Sequence, residues 1–327
     1  MKKILLTGGL GYIGSRFYEK YQNKYNISIL DTGFFTDRNK ILNKNVQLID
    51  IREIKKEYFE DIDFVVHMGE LSNDPLGDLD PSLTKEINHL ATKNLLEIAN
   101  SSKIKKFIYM SSASIYGFSE EISNEKSELN PLTEYSKAKY KNEKFIIENN
   151  FNFETIMLRN STAFGYSSNL RLDLVVNDLT YGGLVNNEIS LLSDGSPKRP
   201  LVHVDDICNF INIVLDDDRN LDKEIFNVGH EELNYSIKEI AESIAKILNI
   251  ENLKFGDFDS DQRSYYLSFD KVKQYFPEYT IEYNLLNGVS HLVENLNKYK
   301  LTGNEKRLKK IDKLLNTKKL DEKLYWV

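Results

Sequence analysis

The sequence contains a single cysteine among its 327 residues, at position 208. One thiol excludes an intramolecular disulfide and any metal cluster built from several cysteines, and we predict no metal site of another kind. Because Cys208 lies in the apolar stretch 207–211, we expect a buried core thiol and not a reactive one.

A long hydrophobic run is also absent. The apolar residues at positions 4–6 are followed at once by Thr7, Gly8 and Gly9, so the run is far shorter than a signal-peptide core or a membrane span. We therefore expect a cytoplasmic protein with no membrane partner.

An excess of positive charge is missing as well, since 43 Lys and Arg residues face 50 Asp and Glu residues, a formal net charge of −7. A chain of this charge has no general field that attracts nucleic acid, and we expect no nucleic-acid partner. Any phosphate-bearing ligand must be held by local positive groups and backbone amides.

The first half of the sequence alternates short apolar runs with helix-like segments. This alternation is typical of α/β proteins and predicts a Rossmann-type doubly wound parallel sheet, because right-handed βαβ crossovers place helices on both faces. The strand candidates are 3–7, 27–31, 46–49, 64–67, 107–111 and 155–159. The helix candidates between them are 11–21, 84–100 and 135–149.

After Gly165 the pattern becomes irregular. The helix candidates there are 172–185, 204–215, 237–248 and 285–298, and the strand candidates lie near 189–193 and 225–228. We predict a Rossmann domain over 1–165, to which the chain returns around 200–230, and a smaller α/β substrate domain mainly over 166–298. The lysine-rich tail 299–327 is predicted to be an amphipathic helix that packs on the body or on a partner subunit.

The first strand candidate is followed by a glycine-rich turn that opens the first helix. Gly8 permits the tight turn, Gly11 lets a pyrophosphate approach the backbone, and Gly14 lets the helix pack on the strand. The helix N-terminus then presents free N–H groups and the positive end of its dipole to phosphates. This turn predicts a dinucleotide site.

Asp31 ends the second strand candidate, near the distance expected for the residue that binds the adenosine ribose. A carboxylate there repels a 2′-phosphate, so NAD is favoured over NADP. Two alternatives stay open: Asp31 could merely cap a strand, and Arg38 could favour NADP. Asp50 and Ile51, after the third strand candidate, are assigned to the adenine.

Tyr135 and Lys139 are four residues apart, which places both side chains on one face of a helix. A phenol titrates near ~10, and a neighbouring ammonium favours the phenolate and lowers this pKa towards neutral pH. The pair therefore predicts an acid/base. Ser112 and Ser114, at the end of the preceding strand candidate, both qualify to orient a substrate hydroxyl or carbonyl.

Together these features resemble an extended short-chain dehydrogenase/reductase, within the NAD-dependent epimerase/dehydratase family that modifies nucleotide sugars. The matching segments follow the family's order. They are TGGLGYIG at 7–14, Asp31, Asp50-Ile51, HMGE at 67–70, Asn88, SSASIYG at 111–117, YSKAK at 135–139, LRNSTAFG at 158–165, RPLVHVDD at 199–206 and FNVG at 226–229.

The resemblance implies NAD as cofactor, a nucleotide-diphosphate sugar as substrate, and a catalytic triad of Ser112, Tyr135 and Lys139. Tyr135 would take the proton of a sugar hydroxyl while hydride passes to the nicotinamide, which gives a 4-keto intermediate. The implied cofactor-binding residues are Gly8, Gly11, Tyr12, Ile13, Gly14, Asp31, Asp50, Ile51, Met68, Gly69, Asn88, Tyr135 and Lys139.

The resemblance also implies residues that bind the nucleotide sugar. They are Ser114, Thr162, Asn177, Arg199 and Arg263, with Arg171, His203, Asp205 and the segment 261–263 in the same regions. Each charged residue among them could instead form a structural ion pair. The family resemblance further implies a homodimer packed through the helices at 84–100 and 135–149.

Departures from the family pattern narrow the expected activity. Its 4,6-dehydratases carry an acidic pair where this chain has Ala113 and Ser114, so dehydration is disfavoured. Glu70 adds an unexpected carboxylate near the cofactor, and Thr162 replaces the asparagine of galactose epimerases. We predict a nucleotide-sugar epimerase. A 4-ketosugar reductase, a sugar dehydrogenase and a non-catalytic NAD-binding protein are the alternatives.

Overall fold

The computed structural model describes residues 1–41, 43–72, 74–257, 263–303 and 305–327. The strands are β1 (Lys3–Thr7), β2 (Asn26–Asp31), β3 (Val46–Leu48), β4 (Phe64–His67), β5 (Lys106–Ser112), β6 (Phe118–Ser123), β7 (Glu154–Asn160), β8 (Thr162–Phe164), β9 (Ile189–Ser190), β10 (Lys198–His203), β11 (Glu224–Val228), β12 (Asn234–Ser236), β13 (Leu253–Lys254) and β14 (Ser264–Leu267). The α-helices are α1 (Tyr12–Tyr21), α2 (Asp74–Gly77), α3 (Pro81–Thr84), α4 (Ala91–Ala99), α5 (Glu134–Glu148), α6 (Val175–Asn186), α7 (Val204–Asp216), α8 (Ile237–Leu248), α9 (Asp270–Tyr275), α10 (Leu285–Leu296) and α11 (Arg307–Asn316).

A seven-stranded parallel sheet forms the centre of the larger lobe, in the order β3-β2-β1-β4-β5-β7-β11. The pairing of β1 with β2 starts at Lys3 opposite Asn26, and the pairing of β1 with β4 starts at Ile4 opposite Phe64. The strand order runs outward from β1 in both directions, so the sheet is doubly wound. The predicted Rossmann-type α/β fold is confirmed.

Both faces of this sheet are covered, which explains why its strands are continuous apolar runs in the sequence. Along β1, Ile4 and Leu6 share one core with Phe17 of α1. Leu5, between them, belongs to the opposite core with Leu95 of α4. The alternation follows from the two-residue repeat of a strand.

The helical segment before β5 starts earlier than predicted. Asp80 caps it by accepting hydrogen bonds from the backbone N–H groups of Ser82 and Leu83, and Pro81 occupies the first helical position, where no N–H is needed. A π-helical turn over Lys85–Leu90 joins α3 to α4. The segment is therefore one helical element with a wider turn in its middle.

The second half of the chain builds a smaller lobe and also completes the large sheet. α6, α8 and α10 enclose a separate apolar core around Val176, Ile240 and Val289. β8, β10 and β12 form a three-stranded sheet, and β11 returns to the large sheet beside β7. α6 begins at Val175 and not at 172, because Leu174 has extended backbone angles. The predicted domain limits after residues 165 and 298 stay a prediction.

The C-terminal tail packs on the body of its own chain. Its helix, α11, is shorter than the lysine-rich stretch suggested, because Lys318 follows it with a positive φ of 54°. Ile311 and Leu314 of α11 are buried together with Phe34 and Leu71 of the larger lobe. This contact places the tail beside the carboxyl ends of β2 and β4.

Candidate active site

The turn between β1 and α1 forms one wall of a cavity of about 1090 Å³, here called the turn cavity. Gly8 has φ +71°, and a Cβ built there would lie 2.7 Å from the carbonyl carbon of Met68. A Cβ at Gly14 would lie 2.6 Å from the Cα of Gly9. The turn therefore requires glycines, and it leaves backbone open to a ligand as a dinucleotide pyrophosphate needs.

Most of the residues predicted to bind the cofactor line this cavity. They are Gly8, Gly11, Tyr12, Ile13, Gly14, Asp31, Asp50, Ile51, Met68 and Gly69. Other lining residues come from regions to which the sequence assigned no cofactor role, namely Phe34, Phe35, Leu71, Ser72 and the tail residue Arg307. The composition of the cavity fits a nucleotide, because its lining combines apolar side chains with the open backbone of the glycine turn.

Asp31 holds two turns together at the mouth of the turn cavity. Its Oδ2 accepts a hydrogen bond from the backbone N–H of Leu10 at 3.0 Å, and its Oδ1 accepts one from Gly33 at 2.8 Å. Burial raises the pKa of this carboxyl group. Arg38 stacks instead on the ring of Trp326, 4.4 Å from its centroid. This arrangement does not favour the NADP alternative based on Arg38.

The proposed catalytic side chains line a second cavity of about 1960 Å³, the tyrosine cavity, which shares residues 13, 68, 70, 72, 163 and 171 with the turn cavity. Thr133 caps α5 through a reciprocal pair of hydrogen bonds with Ser136, which sets Tyr135 in the first turn of the helix and Lys139 one turn later. Ser112 hydrogen-bonds Tyr135, and its Oγ lies 2.9 Å from that of Ser114.

The pKa of Tyr135 differs from the expectation. Burial raises it above the usual value for a phenol, and the carboxylates of Glu70 and Asp74 act in the same direction. Lys139 lowers it, as predicted, and the hydrogen bond from Ser112 acts in the same direction, but together they do not outweigh burial. The net shift is therefore opposite to the predicted direction, because the burial of the phenol outweighs the effect of the neighbouring ammonium.

Lys139 forms an ion pair with Glu70, Nζ to Oε2, at 2.9 Å. Its ammonium also hydrogen-bonds the carbonyl of Met110 and lies 4.7 Å from the ring centroid of Tyr109. Tyr109 in turn donates a hydrogen bond to Glu70 Oε1 at 2.9 Å. Burial acts to lower the pKa of Lys139, but Glu70, Tyr135 and Glu143 together outweigh it and the pKa is raised. Lys139 is therefore positively charged at neutral pH.

Four of the residues predicted to bind substrate line the tyrosine cavity with charged or hydroxyl groups, namely Ser114, Thr162, Arg199 and Arg263. Arg263 forms an ion pair with Asp74, and the guanidinium of Arg199 donates a hydrogen bond to the backbone carbonyl of Arg263. Asp261 and Gln262 lie outside the described residues.

The structure places two predicted ligand-binding amides behind the cavity walls. Asn88 is fully buried, and its amide exchanges hydrogen bonds with the backbone N–H and C=O of Leu71 at 2.8 and 3.0 Å. Asn177 is also fully buried and accepts a hydrogen bond from the N–H of Gly165 at 2.9 Å. Both amides hydrogen-bond backbone groups of loops, and neither side chain lines the turn cavity or the tyrosine cavity.

His203 and Asp205 likewise have structural partners. Asp205 pairs with Arg16 at 2.5 Å, which joins α7 to α1, the helix that follows the glycine turn. His203 caps α7 and stacks on Tyr283 with ring centroids 3.9 Å apart. Burial lowers the pKa of His203 to about 3, so it is neutral. Cys208, also on α7, is buried, and burial raises the pKa of its thiol.

Comparison with known proteins decides the family. Residues 4–229 match the model of the family described as "NAD dependent epimerase/dehydratase family". The chain belongs to this family. It is thus an enzyme whose cofactor is NAD, and the matched range contains the glycine turn, Ser112, Tyr135 and Lys139.

Individual family members are similar along most of the chain. The ADP-L-glycero-D-manno-heptose-6-epimerase of Brachyspira hyodysenteriae is 28% identical over 291 residues, which cover 82% of this chain and 88% of that one. The crystal structure of a UDP-glucuronic acid 4-epimerase from Bacillus cereus, with UDP-glucuronic acid and NAD, has a TM-score of 0.79 at 24% identity, over 90% of this chain and 99% of that one. A UDP-glucose 4-epimerase from Thermotoga maritima, crystallised with UDP-glucose, has a TM-score of 0.77 at 23% identity over the same shares.

Two further observations concern membranes and substrates. Among the described residues, none of the helices has both the length and the apolar character that crossing a bilayer requires. The names of the similar proteins describe enzymes that act on nucleotide sugars. Nucleotide sugars are thus the broad substrate class of these relatives.

Proposed function

We propose that this enzyme is an NAD-dependent nucleotide-sugar 4-epimerase that acts through a 4-keto intermediate. The observation that carries the proposal is that Ser112, Tyr135 and Lys139 line one cavity together, with Lys139 paired to Glu70, a residue that lines both the tyrosine cavity and the turn cavity. A sugar hydroxyl beside Tyr135 would have both the proton acceptor and the cofactor's cavity within reach.

Each of the three side chains has a separate task in this proposal. Tyr135 takes the proton from the 4-hydroxyl of the sugar and later returns it. Ser112 hydrogen-bonds the phenol oxygen and the substrate oxygen, and the ammonium of Lys139 stabilises the phenolate by its charge. NAD, when bound, supplies the group that accepts the hydride of sugar carbon 4 and gives it back. The reaction therefore inverts one carbon without net oxidation.

The charges in the tyrosine cavity argue against dehydration, which needs a carboxylic acid and a carboxylate free for proton transfer. The strand-end positions that carry this pair in dehydratases are Ala113 and Ser114. The carboxylates that line the cavity each hold a cation, in the pairs Glu70–Lys139, Asp74–Arg263, Asp173–Arg171 and Asp178–Lys306.

The substrate is a sugar attached to a nucleoside diphosphate. Arg171, Arg199 and Arg263 bring three guanidinium groups to the tyrosine cavity, and guanidinium groups bind phosphate oxygens through paired hydrogen bonds. The names of the similar proteins point to the same substrate class, with uridine and adenosine diphosphates among the carriers. We propose Arg263 and Arg199 as the diphosphate ligands, with Thr162 and Ser114 next to the sugar.

The test is turnover of nucleotide sugars by purified protein, with bound cofactor identified after denaturation and products identified by NMR and mass. A 4-epimerase converts one sugar into its epimer without added cofactor and without net formation of NADH. Consumption or formation of NADH in a 1:1 ratio with product would identify a reductase or a dehydrogenase instead.

The control is Tyr135→Phe, which removes one oxygen and keeps the ring. We expect a loss of turnover of about 10²–10⁴-fold with nearly unchanged NAD affinity. Equal turnover by the variant and the unchanged protein would show that Tyr135 is not the acid/base. Absence of turnover with every nucleotide sugar, together with normal NAD binding, would support a non-catalytic role.

We also propose that the enzyme is a cytoplasmic homodimer that packs through the helical segment 81–99 and α5. Leu90 and Ile147, which lie on these elements, have 47% and 46% of their surface exposed. Exposed apolar side chains on two neighbouring helices are suited to a two-fold helical interface.

A further inference from the structure

The tail places an arginine in the wall of the turn cavity. Arg307, the first residue of α11, is 1% exposed and lines the cavity together with Gly8, Gly11 and Asp31. Its Nη2 donates a hydrogen bond to Oδ1 of Asn169 at 2.9 Å. The family match ends at residue 229, so this residue lies outside the part of the chain that the family model describes.

The charges around Arg307 make its side of the cavity suitable for an anion. Burial lowers the pKa of Arg307 to about 9, Arg171 acts in the same direction, and Asp173 and Asp31 act to raise it. The guanidinium therefore remains charged at neutral pH. Arg171 is buried too, lines the same cavity and pairs with Asp173 at 2.8 Å. Two buried guanidinium groups thus border a cavity that the backbone of the glycine turn also lines.

The tail is fixed on both sides of the cavity, which holds Arg307 in position. On the side of β2, the indole N–H of Trp326 donates a hydrogen bond to the carbonyl of Thr32 at 2.7 Å. On the side of β3, the guanidinium carbon of Arg52 lies 3.7 Å from the ring centroid of Tyr325. Arg52 also donates a hydrogen bond to the carbonyl of Lys323 at 2.9 Å.

The apolar packing of α11 completes this attachment. Ile311 and Leu314 are buried against Phe34 and Leu71, and both of those residues line the turn cavity themselves. The ring of Phe35, another lining residue, lies 4.2 Å from the guanidinium carbon of Arg307. Arg307 is therefore the tail residue that lines the cavity, and the rest of the tail packs behind the lining residues Phe34 and Leu71.

We propose that Arg307 is a cofactor-binding residue that binds the diphosphate of NAD together with Arg171, and that the segment 305–327 holds Arg307 in place by packing behind the cavity wall. A diphosphate offsets the cost of burying two guanidinium groups, and a planar guanidinium can hold two of its oxygens at once. The proposal rests on the family's cofactor and is independent of which sugar the enzyme converts.

The experiment measures ligand affinities of cofactor-free protein by calorimetry, with NAD, NADP, ADP and adenosine as probes. Arg307→Gln is expected to weaken the binding of NAD and ADP by about tenfold to a hundredfold, because a charge-assisted pair of hydrogen bonds is lost. Adenosine, which carries no phosphate, should bind equally well. Lys309→Gln, an exposed position on the same helix, is the matched control and should bind all four probes like the unchanged protein.

Three results would overturn the proposal. In the first, Arg307→Gln binds NAD as tightly as the unchanged protein. In the second, adenosine loses as much affinity as ADP, which would mean that Arg307 only supports the wall. In the third, the loss is confined to NADP, which would place the contact at the 2′-phosphate. If Arg307→Gln does not fold, Arg307→Lys decides, since it keeps the charge but loses the planar fork. It should weaken NAD and ADP several-fold, and unchanged affinity would contradict the proposal.

Discussion

Oε2 of Glu70 lies 2.9 Å from Nζ of Lys139, and both side chains are almost completely buried. This ion pair stands where the turn cavity and the tyrosine cavity meet, because Glu70 lines both. The carboxylate holds the ammonium in its charged form and at the same time opposes the effect of that ammonium on Tyr135. Glu70 is therefore a positioning residue in the proposed acid/base system.

Replacement of Glu70 tests this electrostatic coupling. Besides Glu70, the groups that act on Tyr135 are Lys139 and Ser112, which lower its pKa, and Asp74, which raises it. Glu70→Gln keeps the size of the side chain but removes a charge that raises the pKa values of both Tyr135 and Lys139. We expect both limbs of the bell-shaped pH profile of kcat/KM to move to lower pH by about one unit.

The matched control for this experiment is Glu134→Gln. Glu134 is adjacent to Tyr135 in sequence, but it pairs with Lys137 at 2.8 Å and is absent from the groups that act on the phenol. Its pH profile should match that of the unchanged enzyme. A profile of Glu70→Gln that coincides with both would mean that the buried pair does not control the ionisation of Tyr135.

Sequence patterns predict the parts of this site that local geometry determines. Gly8 and Gly14 are required by backbone approaches within the glycine turn and its nearest strands, so their spacing already implies the turn. Tyr135 and Lys139 share a face because four residues span about one helical turn. Both features are present in the structure in the form that the sequence suggested.

Contacts between distant segments could not be predicted from sequence patterns. Arg307 is far along the chain from Gly8, and the leucine spacing of the tail indicates a packed helix without indicating its partner. The amide of Asn88 has the right residue type for a ligand, but only the folded loop shows that it binds the backbone of Leu71. The net pKa shift of Tyr135 depends on how far the folded chain buries the phenol, which a motif does not encode.

The dimer proposal predicts a change of mass on substitution of its exposed apolar residues. The unchanged enzyme should elute as a dimer in size-exclusion chromatography with light scattering. The double variant Leu90→Glu and Ile147→Glu should elute as a monomer, since four like charges would meet in a two-fold interface. Leu286→Glu, at an exposed position of the smaller lobe, should remain dimeric. A monomeric unchanged enzyme would exclude the interface.

Acid stability should depend on His67. This side chain is fully buried between Thr7 and Thr92, with its ring nitrogens 2.6 and 2.8 Å from their hydroxyl oxygens. Burial lowers its pKa from 6.5 to about 3, so the folded state keeps it neutral while the unfolded chain takes up a proton below pH 6.5. The stabilisation is therefore present above pH 6.5 and is lost as the pH falls towards 3, by up to about 1.4 kcal/mol per pH unit.

Urea unfolding over this pH range measures the effect. His203, whose pKa is also lowered to about 3 by burial, contributes a second part of the slope. His67→Gln should therefore reduce the slope of the free energy of unfolding against pH by up to about 1.4 kcal/mol per pH unit. His230→Gln, at a position that is not buried, should leave the slope unchanged. An unaltered slope for His67→Gln would show that His67 is not kept neutral by the fold.

Two glycine substitutions should change different properties, NAD affinity for one and the free energy of unfolding for the other, because their surroundings differ. A Cβ at Gly14 would come within 2.6 Å of the Cα of Gly9, so Gly14→Ala must displace the glycine turn and should weaken NAD binding by at least about tenfold. At Gly182, inside α6, the added Cβ meets no heavy atom of other described segments within 4 Å. Gly182→Ala should raise the free energy of unfolding by about 0.5–1 kcal/mol, because alanine loses less backbone entropy in a helix, and should leave NAD affinity unchanged. Calorimetric NAD titration and urea unfolding of both variants measure the two effects. Equal NAD affinity of Gly14→Ala and the unchanged enzyme would contradict the role of the turn as the diphosphate site.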